Sequence, residues 1–120
     1  MTLRPPGKPS ADLWRKSPAG VLDYEIAQEI ASALGRMGRA LEAALAALAE
    51  FDAAQPGAVG EPGPRTRADR AELVAVAADA LWQFIVQREA CGLRDTAAVV
   101  RMYRVPREVH DRMGPLPPRR

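Results

Sequence analysis

From Leu22 onward, apolar residues recur every three or four positions: Leu22, Ile26, Ile30, Leu34, Met37, Leu41, Ala44 or Leu45, Leu48 and Phe51. This is the 3.6-residue period of a helix with one buried face. Ser17 followed by Pro18 makes an N-cap and first-turn pair, with Asp23 and Glu25 near the positive end of the helix dipole, so the helix should start between Pro18 and Leu22. It should end at the Gln55, Pro56, Gly57 break. About 33 residues form a rod of roughly 50 Å, longer than the diameter of about 35 Å of a compact domain of this chain length.

Residues 55–65, QPGAVGEPGPR, read as a loop. A second helix is expected from an N-cap at Thr66, with Asp69 completing an approximate capping box, to about Cys91, where Gly92 can take the left-handed stop position. Between Leu73 and Val86 only Asp79 and Gln83 interrupt the apolar residues, so this helix needs cover from more than one element. Asp95 should cap a third helix with Ala98, Val99, Met102 and Tyr103 on one face. A last short helix, about Pro106 to Met113, carries Val109 and Met113 one turn apart and stops at Gly114.

The fold class implied is all-α: a long antiparallel helical hairpin with two short C-terminal helices, assembled as a dimeric helical bundle. A basic, proline-rich tail over 1–17, one helical domain over 18–114 and a tail over 115–120 complete it, both tails reading as disordered. If the loop folds symmetrically about residue 60, facing residues on the long helices have numbers adding to about 120. Trp82 and Phe84 then oppose Gly38 and Gly35. A glycine inside a helix costs about 1 kcal/mol relative to alanine, and a notch for a bulky ring is a reason to retain one.

Composition sharpens this picture. Aromatics make up 5% against a hydrophobic fraction of 48%, so the core must be built from Ala, Leu and Val on closely spaced helices. The net charge of +2 hides a division: residues 1–20 sum to +3, 21–54 to −4 and 92–120 to +4. The single cysteine, Cys91, excludes an intrachain disulfide and fits a reducing compartment, the cytoplasm. No apolar run approaches the roughly 18 residues needed to span a bilayer, and prolines at 5, 6, 9 and 18 stand where a signal peptide needs its apolar stretch.

Candidate chemistry is sparse. Cys91, expected at a helix C-terminus, reads as a small buried apolar residue, because the dipole there opposes a thiolate. His110, the only histidine, reads as a surface residue, and no metal or cofactor is implied. A Gly-rich phosphate loop, GxSxG and paired catalytic carboxylates are all missing, so the chain reads as a non-enzyme. Arg88 continues the stripe of Leu73, Ala77, Leu81 and Phe84, and the register sets it near Glu29 as a partly buried ion pair; Arg88 with Arg94 holding an anion is the other reading. The PxxPxR pattern at Pro115, Pro118 and Arg120 reads as coincidence in a chain of this composition.

The phrases QREACGLRD (87–95) and YRVPREVHDRMG (103–114), after the Ala-rich helix ASALGRMGRALEAALAAL (31–48), resemble short alphaproteobacterial helical proteins grouped as a domain of unknown function. The resemblance spans roughly 20–114 and carries no activity or site residue with it.

The role expected is protein–protein interaction as a homodimer, or with another protein, through the seam of Leu34, Met37, Leu41, Ala44, Leu48 and Phe51. The alternative is a small DNA-binding regulator using Arg101, Arg104, Arg107 and Arg112 on the last two helices.

Overall fold

The computed structural model describes residues 17–55, 60 and 63–114, which form four helices. These are α1 (Pro18–Ala53), α2 (Pro64–Ala90), α3 (Thr96–Met102) and α4 (Arg107–Asp111). The terminal tails beyond Ser17 and Gly114, the PxxPxR pattern and most of the expected loop lie outside the described residues. The chain divides between Ala33 and Leu34 into two compact units, a boundary that falls inside α1.

In the N-terminal unit the described residues are the first half of α1. Ser17 caps it as expected: the Gly20 N–H donates to Ser17 Oγ at 3.0 Å, and the Val21 N–H to the Ser17 carbonyl at 2.8 Å. Because the helix begins at Pro18, Asp23 and Glu25 fall beyond its first turn, where the dipole has little hold on them. Leu22, Ile26 and Ile30 are exposed to 56%, 50% and 37%, so the apolar stripe of this half faces outward.

The C-terminal unit holds the core. Leu41, Ala44 and Leu48 of α1 meet Val74, Ala77, Ala78, Leu81, Phe84 and Ile85 of α2, with Val99 of α3, Val105 after it and Val109 of α4 closing the cluster. Thus α2 receives cover from more than one element, as its apolar pattern required, with Val76 and Val86 left exposed. Val109 is fully buried and Met113 packs on the core beside it, as their spacing indicated. Met102, expected on one face with Val99, is 75% exposed, while Val105 beyond the helix end is buried.

Punctuation explains the helix ends. α2 begins three residues earlier than expected, with Gly63 in extended backbone at the N-cap and Pro64, whose φ is pre-set for a helix, at the first position. Thr66 lies inside the first turn and does not cap. At the other end Gly92 has φ +85, the Leu93 N–H donates to the Arg88 carbonyl at 2.8 Å and the Gly92 N–H to the Glu89 carbonyl at 2.9 Å. This is the left-handed stop read from the sequence. Asp95 stands at the N-cap of α3, yet its side chain makes no capping hydrogen bond. α4 is shorter than the span from Pro106 to Met113 suggested, five residues capped by Pro106.

The same stop motif recurs after α3 with a less suitable residue. The Val105 N–H donates to the Val100 carbonyl at 3.0 Å and the Arg104 N–H to the Arg101 carbonyl at 3.2 Å, which forces Arg104 to φ +51. A side chain in the left-handed region strains the backbone by roughly 1–2 kcal/mol, and glycine there returns part of that gain through its looser unfolded chain. Arg104→Gly should therefore raise stability by about 0.5–1 kcal/mol in urea unfolding, whereas Arg104→Ala should leave it near wild type. Equal effects of the two substitutions would remove backbone strain as the cause.

Candidate functional site

The packing of α1, α2 and α3 centres on Phe84. A Cβ added to Gly38 would lie 3.6 and 3.7 Å from Phe84 ring carbons and 2.8 Å from Tyr103 Oη, so the missing side chain is the space those rings occupy. Phe84 and Tyr103 meet edge to face, with centroids 5.5 Å apart and planes at 80°. The Arg88 guanidinium lies 5.5 Å from the Phe84 centroid, one turn further along α2. An aromatic-on-glycine contact was expected here with different partners. Phe84 rather than Trp82 faces Gly38, Trp82 is half-buried, and at Gly35 a Cβ would meet only the Arg39 side chain. The pair Phe84–Gly38 adds to 122, because the hairpin does not fold symmetrically about residue 60.

The same register brings Asp52, at the end of α1, to Arg70 on α2. Arg70 Nε and Nη2 donate to Asp52 Oδ1 and Oδ2 at 2.8 and 3.1 Å, while Nη1 and Nη2 donate to Glu108 Oε2 and Oε1 of α4 at 2.8 and 2.6 Å. One guanidinium thus forks onto two carboxylates and ties three helices together. These hydrogen bonds hold the Asp52 and Glu108 carboxyls below their ordinary values and raise Arg70 further above its own. Arg70 was not among the residues singled out from the sequence. Its partner Asp52 was within reach of the register argument, whereas Glu108 depends on the placement of α4.

Beside this triad a cleft of about 370 Å³ runs between the N-terminal half of α2 and the α4 segment. Thr66, Arg67, Arg70, Ala71 and Val74 line one wall, Glu108 and Arg112 the other. Arg112 makes no hydrogen bond or ion pair among the described residues; Glu108 feels its charge, but both Glu108 oxygens are taken by Arg70. A second groove of about 220 Å³, between α1 and α2, is lined by Met37, Ala40, Ala44, Val76, Asp79, Ala80 and Gln83.

The other residues named from sequence fall as follows. Leu41, Ala44 and Leu48 are buried in the chain's own core, Leu34 and Met37 pack against it, and Phe51 is half-buried. The seam expected to receive a second chain is therefore largely occupied by α2 and the elements beyond it. Arg101, Arg104, Arg107 and Arg112 are all exposed, but α4 has only five residues, less than two turns to present to a DNA groove, and Arg107 lies 3.8 Å from Asp111 of the same helix. Arg88 is half-buried with its Nε enclosed and lacking a hydrogen-bond partner, and Arg94 is exposed. Glu29 belongs to the N-terminal unit. Cys91 is half-exposed at the C-cap of α2 rather than buried, with the Gln87 amide 3.9 Å from its sulfur. His110 is exposed, as expected.

The DUF6665 family, described as a family of unknown function, matches residues 12–119. No curated protein and no solved structure matches the chain.

The triad has a definite pH dependence. Both carboxyls are depressed in the folded chain, so their stabilisation is fully present above the ordinary carboxylate values near 4 and is lost as the pH falls through the lower folded values. The side chains of Arg70, Asp52 and Glu108 are exposed to 35%, 48% and 46%, which screens the pairs. Arg70→Met should cost about 1 kcal/mol at neutral pH. In urea titrations the gap between wild type and variant should close between about pH 5 and pH 2; a gap independent of pH would assign Arg70 a packing role only.

Proposed function

The chain belongs to this family of unknown function, and on that premise we propose that it is a helical protein-interaction module that works as a homodimer through the first half of α1. No specific activity is readable from the chain, and the reading is carried by one observation: Leu22, Ile26 and Ile30 form an exposed apolar stripe at helical spacing. The core explains why the contact belongs there. The α2 helix obtains its cover within the chain, and Leu41, Ala44 and Leu48 of the expected seam are spent on that cover, so the contact is moved to the exposed stripe that precedes the seam on the same helix.

Charge supports a second copy as that partner. Residues 17–33 carry Asp23, Glu25 and Glu29 and no Lys or Arg, while Arg36 and Arg39 follow on the same helix. Antiparallel pairing of α1 with α1 of another copy, centred beside Ile30, sets Glu25 opposite Arg36 and Asp23 near Arg39, and a two-fold axis makes each such pair twice. The setting proposed is the bacterial cytoplasm, supported by the lone cysteine. No described helix is long and apolar enough to cross a membrane.

Light scattering coupled to size exclusion tests the proposal on the full chain. Across a hundredfold concentration range the protein should reach a species of about twice its 13.0 kDa mass, and Ile26→Glu should hold it at the monomer mass with an unchanged helical spectrum, since the residue is exposed. A wild-type monomer throughout, or a dimer indifferent to Ile26→Glu, would overturn it.

A further inference from the structure

We infer that the cleft between α2 and α4 binds a small molecule carrying an oxyanion on a compact apolar body. The walls bring three arginines, Arg67, Arg70 and Arg112, against a single carboxylate, Glu108. Both oxygens of that carboxylate accept from Arg70, as do both of Asp52, so the three arginines exceed the two carboxylates by one positive charge. Arg70 in turn uses four of its five N–H groups on Asp52 and Glu108, which fixes its plane and leaves one Nη1 hydrogen unused by those contacts. The clamp thus makes one wall rigid, while Arg112 across the cleft keeps its guanidinium unbonded among the described residues. A planar guanidinium fork matches a phosphate or carboxylate better than a point charge does.

The remaining lining defines the rest of the ligand. Thr66 adds a hydroxyl that can donate to an oxyanion, and Ala71 with Val74 supplies apolar surface below it. A volume of about 370 Å³ is at the small end for ligand clefts, which suits one oxyanion and one ring rather than a dinucleotide. Neither the homodimer nor its apolar stripe enters this inference.

Isothermal titration of the full chain with phenyl phosphate, benzoate and inorganic phosphate tests it, with Arg112→Gln and the distant Arg94→Gln as the paired variants. Either ring compound should bind more tightly than inorganic phosphate. Arg112→Gln should weaken that binding about tenfold, the scale of one charged hydrogen bond, while Arg94→Gln leaves it unchanged. Preference for phenyl phosphate identifies a phosphate ligand, and preference for benzoate a carboxylate. Absence of binding by all three, equal affinity with and without the ring, or equal loss in both variants overturns the inference, the last result meaning general charge attraction only. Arg112 is exposed and unbonded, so its variant should keep the wild-type melting temperature; a large drop would mean that the side chain supports the fold, and would also count against a ligand role.

Discussion

Everything in the C-terminal unit is arranged around the absence of a side chain at Gly38. That gap lets the Phe84 ring come down on the α1 backbone, and the tyrosine that ends α3 meets the same ring edge to face. In a chain with so few aromatics, this contact supplies a specificity that interchangeable alanines and leucines cannot. Slipping α2 by one residue along α1 would set the Phe84 ring against a Cβ instead of the gap. Once the slip is forbidden, Leu41, Leu48, Val74, Ala77 and Leu81 meet in one arrangement, and Asp52 falls opposite Arg70 at the far end of the hairpin. The Phe84–Gly38 and Arg70–Asp52 pairs share one register, so the apolar contact and the ionic clamp reinforce each other from opposite ends.

Legibility followed the range of the interaction that decided each feature. Helix starts and stops depend on neighbours within a turn, and Ser17 with Pro18, Gly92 and the Val109–Met113 spacing stood plain in the chain. The antiparallel register came out within two residues from loop symmetry, close enough to forecast an aromatic on a glycine but not to choose between Phe84 and Trp82. Thr66 was misjudged as a cap because Pro64 was already able to begin the helix. The Arg104 turn was invisible because nothing in an arginine announces a left-handed backbone; the 6→1 hydrogen bond and the burial of Val105 impose it. The cleft was the least legible feature, since its two walls lie more than thirty residues apart and only the docking of α4 brings them together.

The two units of the chain have different consequences for function. The C-terminal unit meets its own need for cover, which removes the strongest reason to require a partner for α2. The first half of α1 has the opposite character: its periodicity is as regular as that of the second half, yet its large apolar residues stand in solvent. A pattern that encodes burial, left exposed among the described residues, is the physical basis for proposing association through this segment. The exposed arginines of α3 and α4 carry a different kind of information, because Arg107 and Arg112 are set by a helix too short to act as a reading head.

The central claim is that Phe84 against Gly38 sets the register of the hairpin. It is tested most directly by proton NMR of the wild-type chain, through nuclear Overhauser contacts between glycine Hα and aromatic ring protons. Strong contacts from Gly38 Hα to the Phe84 ring, with the Gly38 resonances shifted by that ring, are the predicted result. Contacts from Gly38 to Trp82, or from Gly35 to Phe84, would restore the symmetric register and contradict the account.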